Sequence, residues 1–122
     1  MNFAELKNRV ANAVAEYNKE FMAKHDEPDF GECGNAVVLI SFGRKRKIKE
    51  AFVDEVLLGM DWSSSSKKSF VFEYDGNAGV PVPTQYAGYY RQRAYLVSRI
   101  LKEWLAENGQ EGVDVHVHSW VD

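Results

Sequence analysis

Cysteine and long apolar runs are both scarce in this sequence, and each scarcity argues against a class of protein. Cys33 is the single cysteine among 122 residues, so no intrachain disulfide can form, which is typical of a reducing compartment. No segment approaches the ~20 apolar residues of a membrane-spanning helix. The first residues, MNFAELKNRV, contain an acid and no apolar run of signal-peptide length. We therefore expect a cytoplasmic protein without membrane contact.

The sequence also lacks the motifs that mark common catalytic and nucleotide-binding sites. It contains no phosphate-binding loop, no dinucleotide-binding glycine pattern, no zinc-finger spacing and no serine nucleophile motif. Cys33 has no identifiable histidine partner, and a lone cysteine of this kind is usually inert. We therefore predict that the protein is not an enzyme and that it binds no cofactor.

Apolar residues, in contrast, are plentiful enough to form a core without disulfides. They make up 45% of the chain, and aromatic residues make up 13%. A length of 122 residues suits one domain of ordinary size. We predict a single α+β domain over residues 1–122.

Two stretches have the periodicity of long amphipathic helices. In residues 2–24, apolar side chains recur every three or four positions, and Asn2 with Glu5 resembles a capping box. Residues 85–108 show the clearest helical pattern of the chain, with an apolar stripe formed by Tyr86, Tyr90, Val97, Leu101 and Trp104.

The ends of this second helix are marked by residues with known preferences. Thr84 is a candidate for the N-terminal cap, and Gly109 is a candidate for the residue that ends the helix, because glycine adopts the left-handed conformation at little cost. Arg93 lies at the border of the apolar stripe. We expect it either to extend towards solvent or to pair with a buried acid such as Glu73.

The remaining segments predict strands and loops. Residues 36–42 form a continuous apolar run that is typical of a central strand, and residues 113–121 alternate like a half-buried strand. Residues 48–58 fit a helix or a strand, and we favour a strand that returns beside residues 36–42. The other predictions are a strand at 69–74, a loop at 25–35 and a mobile polar loop at 61–68.

This order predicts a two-layer α+β sandwich. A three- to four-stranded, mainly antiparallel sheet would carry the two long helices on one face. The second face of the sheet would then be open to solvent or to a partner.

A dense run of cations follows the predicted central strand. The run consists of Arg44, Lys45, Arg46, Lys47 and Lys49. The chain as a whole has a net charge of −3, yet residues 36–102 hold 11 Lys and Arg against 6 Asp and Glu. Such a run can bind phosphates or an acidic protein surface, and it can also be a solvated turn that protects a sheet edge.

A second candidate surface lies on the polar side of the predicted helix 85–108. Arg91, Tyr95, Arg99 and Lys102 fall together opposite the apolar stripe. An aromatic residue between arginines is typical of the centre of an interface, and it can also stack on a nucleic-acid base. Arginines are also ordinary on exposed helix faces, so the pattern alone does not establish a site.

A third constellation, on the last strand, would suit a metal. Asp114, His116 and His118 alternate, so they share one face about 6.6 Å apart by strand rise. A zinc site needs a further firm ligand, for which only Cys33 and His25 are available. Since that set is incomplete, we predict no bound metal, and a metal-dependent hydrolase is the second alternative function.

These features favour a small non-catalytic binding protein that contacts a macromolecule. We expect a protein partner, as for an inhibitor, an immunity-type protein or an assembly protein of bacterial or phage origin. A nucleic-acid-binding protein that uses the same basic residues is the first alternative. The sequence leaves the oligomeric state open, a homodimer among the alternatives.

Overall fold

The computed structural model describes residues 1–24, 31–55, 57–64 and 67–122, and for residues 46, 53–55, 57–64 and 67–68 it describes the backbone alone. Three helices and four strands lie within these residues. In chain order they are α1 (Phe3–Lys24), β1 (Gly34–Ser41), α2 (Arg46–Glu55), β2 (Leu57–Ser64), β3 (Lys67–Phe72), α3 (Ala87–Glu107) and β4 (Asp114–Val121).

The four described strands form one antiparallel sheet in the order β2-β3-β1-β4. The α+β fold with helices packed on a sheet is therefore confirmed. β1 lies inside the sheet, as its continuous apolar sequence predicts, and β4 pairs with it along eight residues from Gly34↔Val121 to Ser41↔Asp114. β4 is consequently an edge strand.

One apolar cluster joins the helices to a single face of the sheet. Alternate residues of β1, which are Ala36, Val38 and Ile40, belong to this cluster together with Val115 of β4. The helices contribute, among others, Leu6, Val10 and Val14 of α1, Ile48 and Phe52 of α2, and Val97, Leu101 and Trp104 of α3. Burial of these side chains is the main force that holds the two layers together.

The centre of the second sheet face is shielded from solvent, although the sequence suggested an open face. Leu39 and Val71 lie opposite each other on β1 and β3, and both are buried outside the main cluster. On the same face the hydroxyls of Ser41 and Ser69 approach to 2.7 Å.

The prediction of a strand over 48–58 is wrong for most of its length. Residues 46–55 form α2, because Ile48 and Phe52 are four positions apart and both enter the core on one side of the helix. Phe52 contacts the rings of Phe3 and Phe42 at centroid distances of 5.0 and 5.4 Å. The strand predicted as the immediate partner of β1 is therefore replaced by β3 on one side and β4 on the other.

The mobile polar loop predicted at 61–68 is also wrong for its described residues. Residues 61–64 belong to β2, residues 67–68 begin β3, and the two strands pair from Asp61↔Phe70 to Ser64↔Lys67. Backbone hydrogen bonds of a hairpin do not need apolar side chains, so the polar residues Asp61, Ser63 and Ser64 gave no strand pattern in the sequence. Residues 25–30 of the loop predicted at 25–35, with His25, lie outside the described residues, and β1 begins at Gly34.

The helix ends agree in part with their sequence signals. The Asn2 side chain accepts a hydrogen bond from the Glu5 N–H at 3.1 Å, which is one half of the predicted capping box. Thr84 does not cap α3, since the N-cap residue is Tyr86 and Thr84 Oγ1 accepts the Tyr86 N–H. Gly109 follows the end of α3 with φ of +68°, as predicted. No helix of the described residues is both long and apolar enough to cross a bilayer.

Candidate functional site

The polar side of α3 presents the predicted cluster to solvent. Arg91, Tyr95, Arg99 and Lys102 are all exposed, opposite the buried side chains Val97 and Leu101. Tyr95 is the conspicuous member, because 52% of it is exposed and large aromatic side chains gain most from burial. The structure therefore brings these four residues to one surface.

Tyr95 and Arg99 also form one wall of a groove between α1 and α3. The groove has a volume of about 590 Å³. We call it the α1–α3 groove. It is lined by Ala13, Glu16, Tyr17 and Glu20 of α1 and by Gln92, Tyr95, Leu96 and Arg99 of α3. A second cavity of about 420 Å³ shares Tyr17 and Gln92 with it and reaches Arg91. The two cavities therefore follow the helix pair as one depression.

The walls of the groove carry opposite charges. Glu16 and Glu20, one turn apart, line the α1 side, while Arg99 lines the α3 side. Among the described residues, no carboxylate lies within 4.0 Å of Arg91, Arg99 or Lys102. The charges of these three cations are therefore not neutralised by any described carboxylate.

At one end of the helix pair the charges are already satisfied. Arg9 of α1 lies 2.9 Å from Glu107 and 3.8 Å from both Glu103 and Glu5. This cluster draws α1 and α3 together, although each exposed pair contributes only about 0–1 kcal/mol. The charges at this end of the helix pair are therefore paired within the chain, unlike Arg99 in the groove.

The floor of the groove is held by hydrogen bonds between α1 and α3. The Tyr17 hydroxyl donates to the Tyr89 carbonyl at 2.8 Å, and the two rings stack with centroids 5.5 Å apart. Burial raises the pKa of Tyr17 to about 12, with a further contribution from Tyr89. The Tyr17 ring is therefore fixed as a rigid part of the site.

Beneath Tyr17 lies a polar network that the sequence did not predict. Asn18 is fully buried; its amide donates to the carbonyls of Gly76, Asn77 and Val80, and its oxygen accepts the Tyr89 hydroxyl at 2.6 Å. The signal was available, since Asn18 sits in the apolar stripe of α1 between Val14 and Phe21, where an amide must be hydrogen-bonded.

Arg93 pairs with tyrosines and a backbone carbonyl rather than with the suggested Glu73, which is exposed. Its guanidinium donates to the hydroxyls of Tyr74 and Tyr89 at 3.2 and 3.3 Å and to the Gly76 carbonyl at 3.2 Å. It also lies 5.0 to 5.4 Å from the ring centres of Tyr74, Tyr89 and Tyr90. Arg93 therefore stabilises the scaffold behind the groove.

The predicted basic turn is in fact a short turn followed by the first residues of α2. Arg44 and Lys47 are exposed, Lys45 is half-buried, and the three line a cavity of about 360 Å³ with Ile48. We call these three cations the α2 basic patch. None of them has a carboxylate within 4.0 Å among the described residues.

Of the other two predicted cations, Lys49 does not extend this patch. Its ammonium lies 5.0 Å from the centre of the Phe70 ring and thus turns towards the sheet. Arg46 begins α2, and its side chain lies outside the described residues.

The constellation on β4 is brought together only in part. Asp114 Oδ2 lies 3.4 Å from His116 Nδ1, and the ring of His118 lies against Trp120 with centroids 5.7 Å apart. Among the described residues, no group of three or more His, Cys, Asp and Glu side chains could hold a metal ion.

Cys33 is too far along the sheet to complete a metal site with these histidines. It is exposed next to the start of β1, where its thiol donates to Gln85 Oε1 at 3.6 Å. His116 pairs with Leu39, six residues further on, which is about 20 Å by strand rise. The second candidate ligand, His25, lies outside the described residues.

Sequence reasoning missed the α1 wall of the groove. Glu16, Glu20 and Leu96 were not assigned to any surface from the sequence, and all three line the groove. The available signal was two acids four positions apart, next to Ala13 and Tyr17. Their position opposite Tyr95, however, depends on how α1 packs on α3. No protein-family model, no curated protein and no solved structure matches this chain.

Proposed function

We propose that this chain is a non-catalytic binding protein that holds a protein partner in the α1–α3 groove. The observation that carries the proposal is the exposed Tyr95, placed between Arg91 and Arg99 at the rim of a groove with one acidic and one basic wall. Aromatic and arginine side chains are enriched at the energetic centres of protein interfaces.

The mixed charge of the groove favours a protein over a nucleic acid at this place. A phosphate backbone that approached Arg99 would also meet Glu16 and Glu20 across the groove, and these carboxylates would repel it. A protein segment can present acids to Arg99 and bases to Glu16 at the same time. The partner we infer is therefore an amphipathic helix whose apolar stripe covers Tyr95, Leu96 and Tyr17.

The first experiment identifies the partner. The tagged chain is used to capture proteins from a host lysate with and without nuclease, and bound material is identified by mass spectrometry. We expect a protein that is retained after nuclease treatment. Loss of all captured material on nuclease treatment would contradict the proposal and support the nucleic-acid alternative.

The second experiment locates the site. Binding of the captured partner is titrated against the double variant Arg99→Glu with Lys102→Glu, after circular dichroism has shown that the variant is folded. Both residues are exposed, so the reversal leaves the core unchanged; it turns attraction into repulsion at Arg99 on the groove wall and at Lys102 on the same face of α3. We expect binding to be abolished, and we expect Tyr95→Ala to weaken it by roughly 1–3 kcal/mol.

The matched control is the double reversal Arg44→Glu with Lys47→Glu. It changes the net charge by the same amount on the α2 basic patch, and it should leave partner binding within about twofold. If this control abolishes binding while Arg99→Glu with Lys102→Glu does not, the partner binds at α2 and the groove is only scaffold.

A second candidate function is nucleic-acid binding through the α2 basic patch. The favouring observation is that Arg44, Lys45 and Lys47 line one cavity without a neighbouring described carboxylate. A fluorescent oligonucleotide titrated at two salt concentrations tests it. Affinity that falls steeply with salt, and that disappears in Arg44→Glu with Lys47→Glu, would support this function; absence of binding at low salt would exclude it.

A further inference from the structure

β4 exposes one complete row of backbone hydrogen-bonding groups at the edge of the sheet. The Asp122 N–H donates to the Cys33 carbonyl at 2.9 Å, which identifies residues 33 and 122 as a hydrogen-bonded pair. Such pairs alternate along an antiparallel ladder, so Asp114, His116, His118 and Trp120 bond to β1. The N–H and C=O groups of Val115, Val117, Ser119 and Val121 therefore point outwards.

The other side of β1 agrees with this assignment. The Gly34 N–H donates to the Gln85 carbonyl at 3.0 Å, away from β4, as expected for the partner of Val121 in a pair without ladder bonds. Among the described residues, none donates a backbone hydrogen bond to the outward row of β4 or accepts one from it. Within the part of the chain that the structure describes, the row is thus unpaired.

The edge of β4 also lacks the features that usually prevent strand addition. It contains no proline and no lysine, and its register with β1 is regular over all eight residues. The opposite edge, β2, has an irregularity between Leu57 and Asp61. In addition, Val121 on the outward row of β4 is 51% exposed, although it is a large apolar side chain.

We propose that two copies of this chain associate edge to edge through β4, antiparallel about a two-fold axis at Val117, and join their sheets into one of eight strands. In this register, the outward N–H and C=O groups of Val115 face those of Ser119 in the second copy. The outward groups of Val117 face the same groups of Val117 in the second copy. This register is the alignment that overlaps residues 113–121 of both copies completely.

The side chains of β4 are compatible with a second copy on both faces. The outward row, which also points its side chains towards the helices, consists of valines and one serine and brings no charges together. On the other face, Asp114 lies opposite Trp120 of the second copy rather than opposite an acid, and His116 lies opposite His118. An interface made of one edge strand from each copy is small, so the dimer is expected to be reversible.

The test measures the mass of the full chain by sedimentation equilibrium from micromolar to millimolar concentration. We expect a monomer–dimer equilibrium. Ser119→Pro removes an N–H that points outwards and is not needed by β1, so it should weaken the dimer at least about tenfold. Ser119→Ala keeps the N–H and should dimerise like the parent.

A second variant keeps the proposal testable if the proline perturbs the fold. Ser119→Lys adds the charge that natural edge strands use against pairing, and Asn12→Lys adds the same charge on exposed α1 as a control. We expect only the former to weaken the dimer. A chain that stays monomeric at every concentration would overturn the proposal, as would a dimer that survives Ser119→Lys and Ser119→Pro unchanged.

Discussion

Trp104 is the side chain at which the three helices meet. It is 1% exposed, and its ring lies 5.3 Å from that of Phe3 on α1 and 6.0 Å from that of Phe52 on α2. We expect Trp104→Ala to lower the free energy of unfolding by about 3–5 kcal/mol, because a large cavity would remain between rigid elements. Urea denaturation measures this, with Tyr95→Ala as the exposed aromatic control that should change stability little. Equal midpoints for Trp104→Ala and the parent would show that these contacts do not stabilise the fold.

Tyr17 makes stability depend on pH in the alkaline range. Its folded pKa of about 12 exceeds the ordinary value of 10.0, mainly through burial, so folding favours the neutral hydroxyl. The stability that this group contributes is present below pH 10 and is lost as pH rises from about 10 to about 12. Urea midpoints at pH 8, 10 and 11 should fall more steeply for the parent than for Tyr17→Phe. Parallel pH profiles of the two proteins would argue against a raised pKa.

The end of α3 depends on the conformation of a glycine. Gly109 has φ of +68°, and its N–H donates to the Ala106 carbonyl while Gln110 N–H donates to that of Leu105. Among the described residues, no atom lies within 4 Å of an added Cβ, so Gly109→Ala should cost roughly 1 kcal/mol from backbone conformation alone. Thermal unfolding measures the loss, and Glu111→Ala in the same turn should be neutral. A cost near zero would mean that the turn relaxes into another conformation.

At the scale of elements, the sequence predicted those helices and strands whose apolar pattern continues without interruption along the whole element. α1, α3, β1 and β4 follow directly from such patterns, and their bounds agree within a few residues. α2 was missed because its described buried apolar side chains, Ile48 and Phe52, fit both periods. The strand predicted at 69–74 is present as β3, but its hairpin partner β2 was missed because Asp61, Ser63 and Ser64 are typical of a loop.

The candidate site was predictable on one side only. The exposed face of α3 with Tyr95 follows from helical spacing within one element, whereas the opposite wall with Glu16 requires the packing of α1 on α3. The partners of Arg93 were not predicted either. They are Tyr74 and Gly76 in the irregular segment after β3, and Tyr89 in α3 itself. Contacts between elements distant in sequence are not encoded in any local pattern.

At the scale of the whole molecule, one core cluster includes side chains from all three helices and from the sheet. We therefore expect the chain to unfold in a single cooperative transition. Urea curves recorded by far-ultraviolet circular dichroism and by tryptophan fluorescence should coincide. Separate midpoints for the two signals would show that part of the fold is stable without the rest.

The position of β1 between β3 and β4 has a consequence for how fast this chain folds. β1 pairs Ser41 with Asp114 and Gly34 with Val121, residues that are 73 and 87 positions apart in the chain. Closing such long loops costs entropy before any ladder contact repays it, and a high proportion of distant contacts slows folding. We expect the helices to gain structure early and the β1–β4 ladder to form last. During refolding, the backbone groups of β1 that bond to β4 are therefore unpaired for a time.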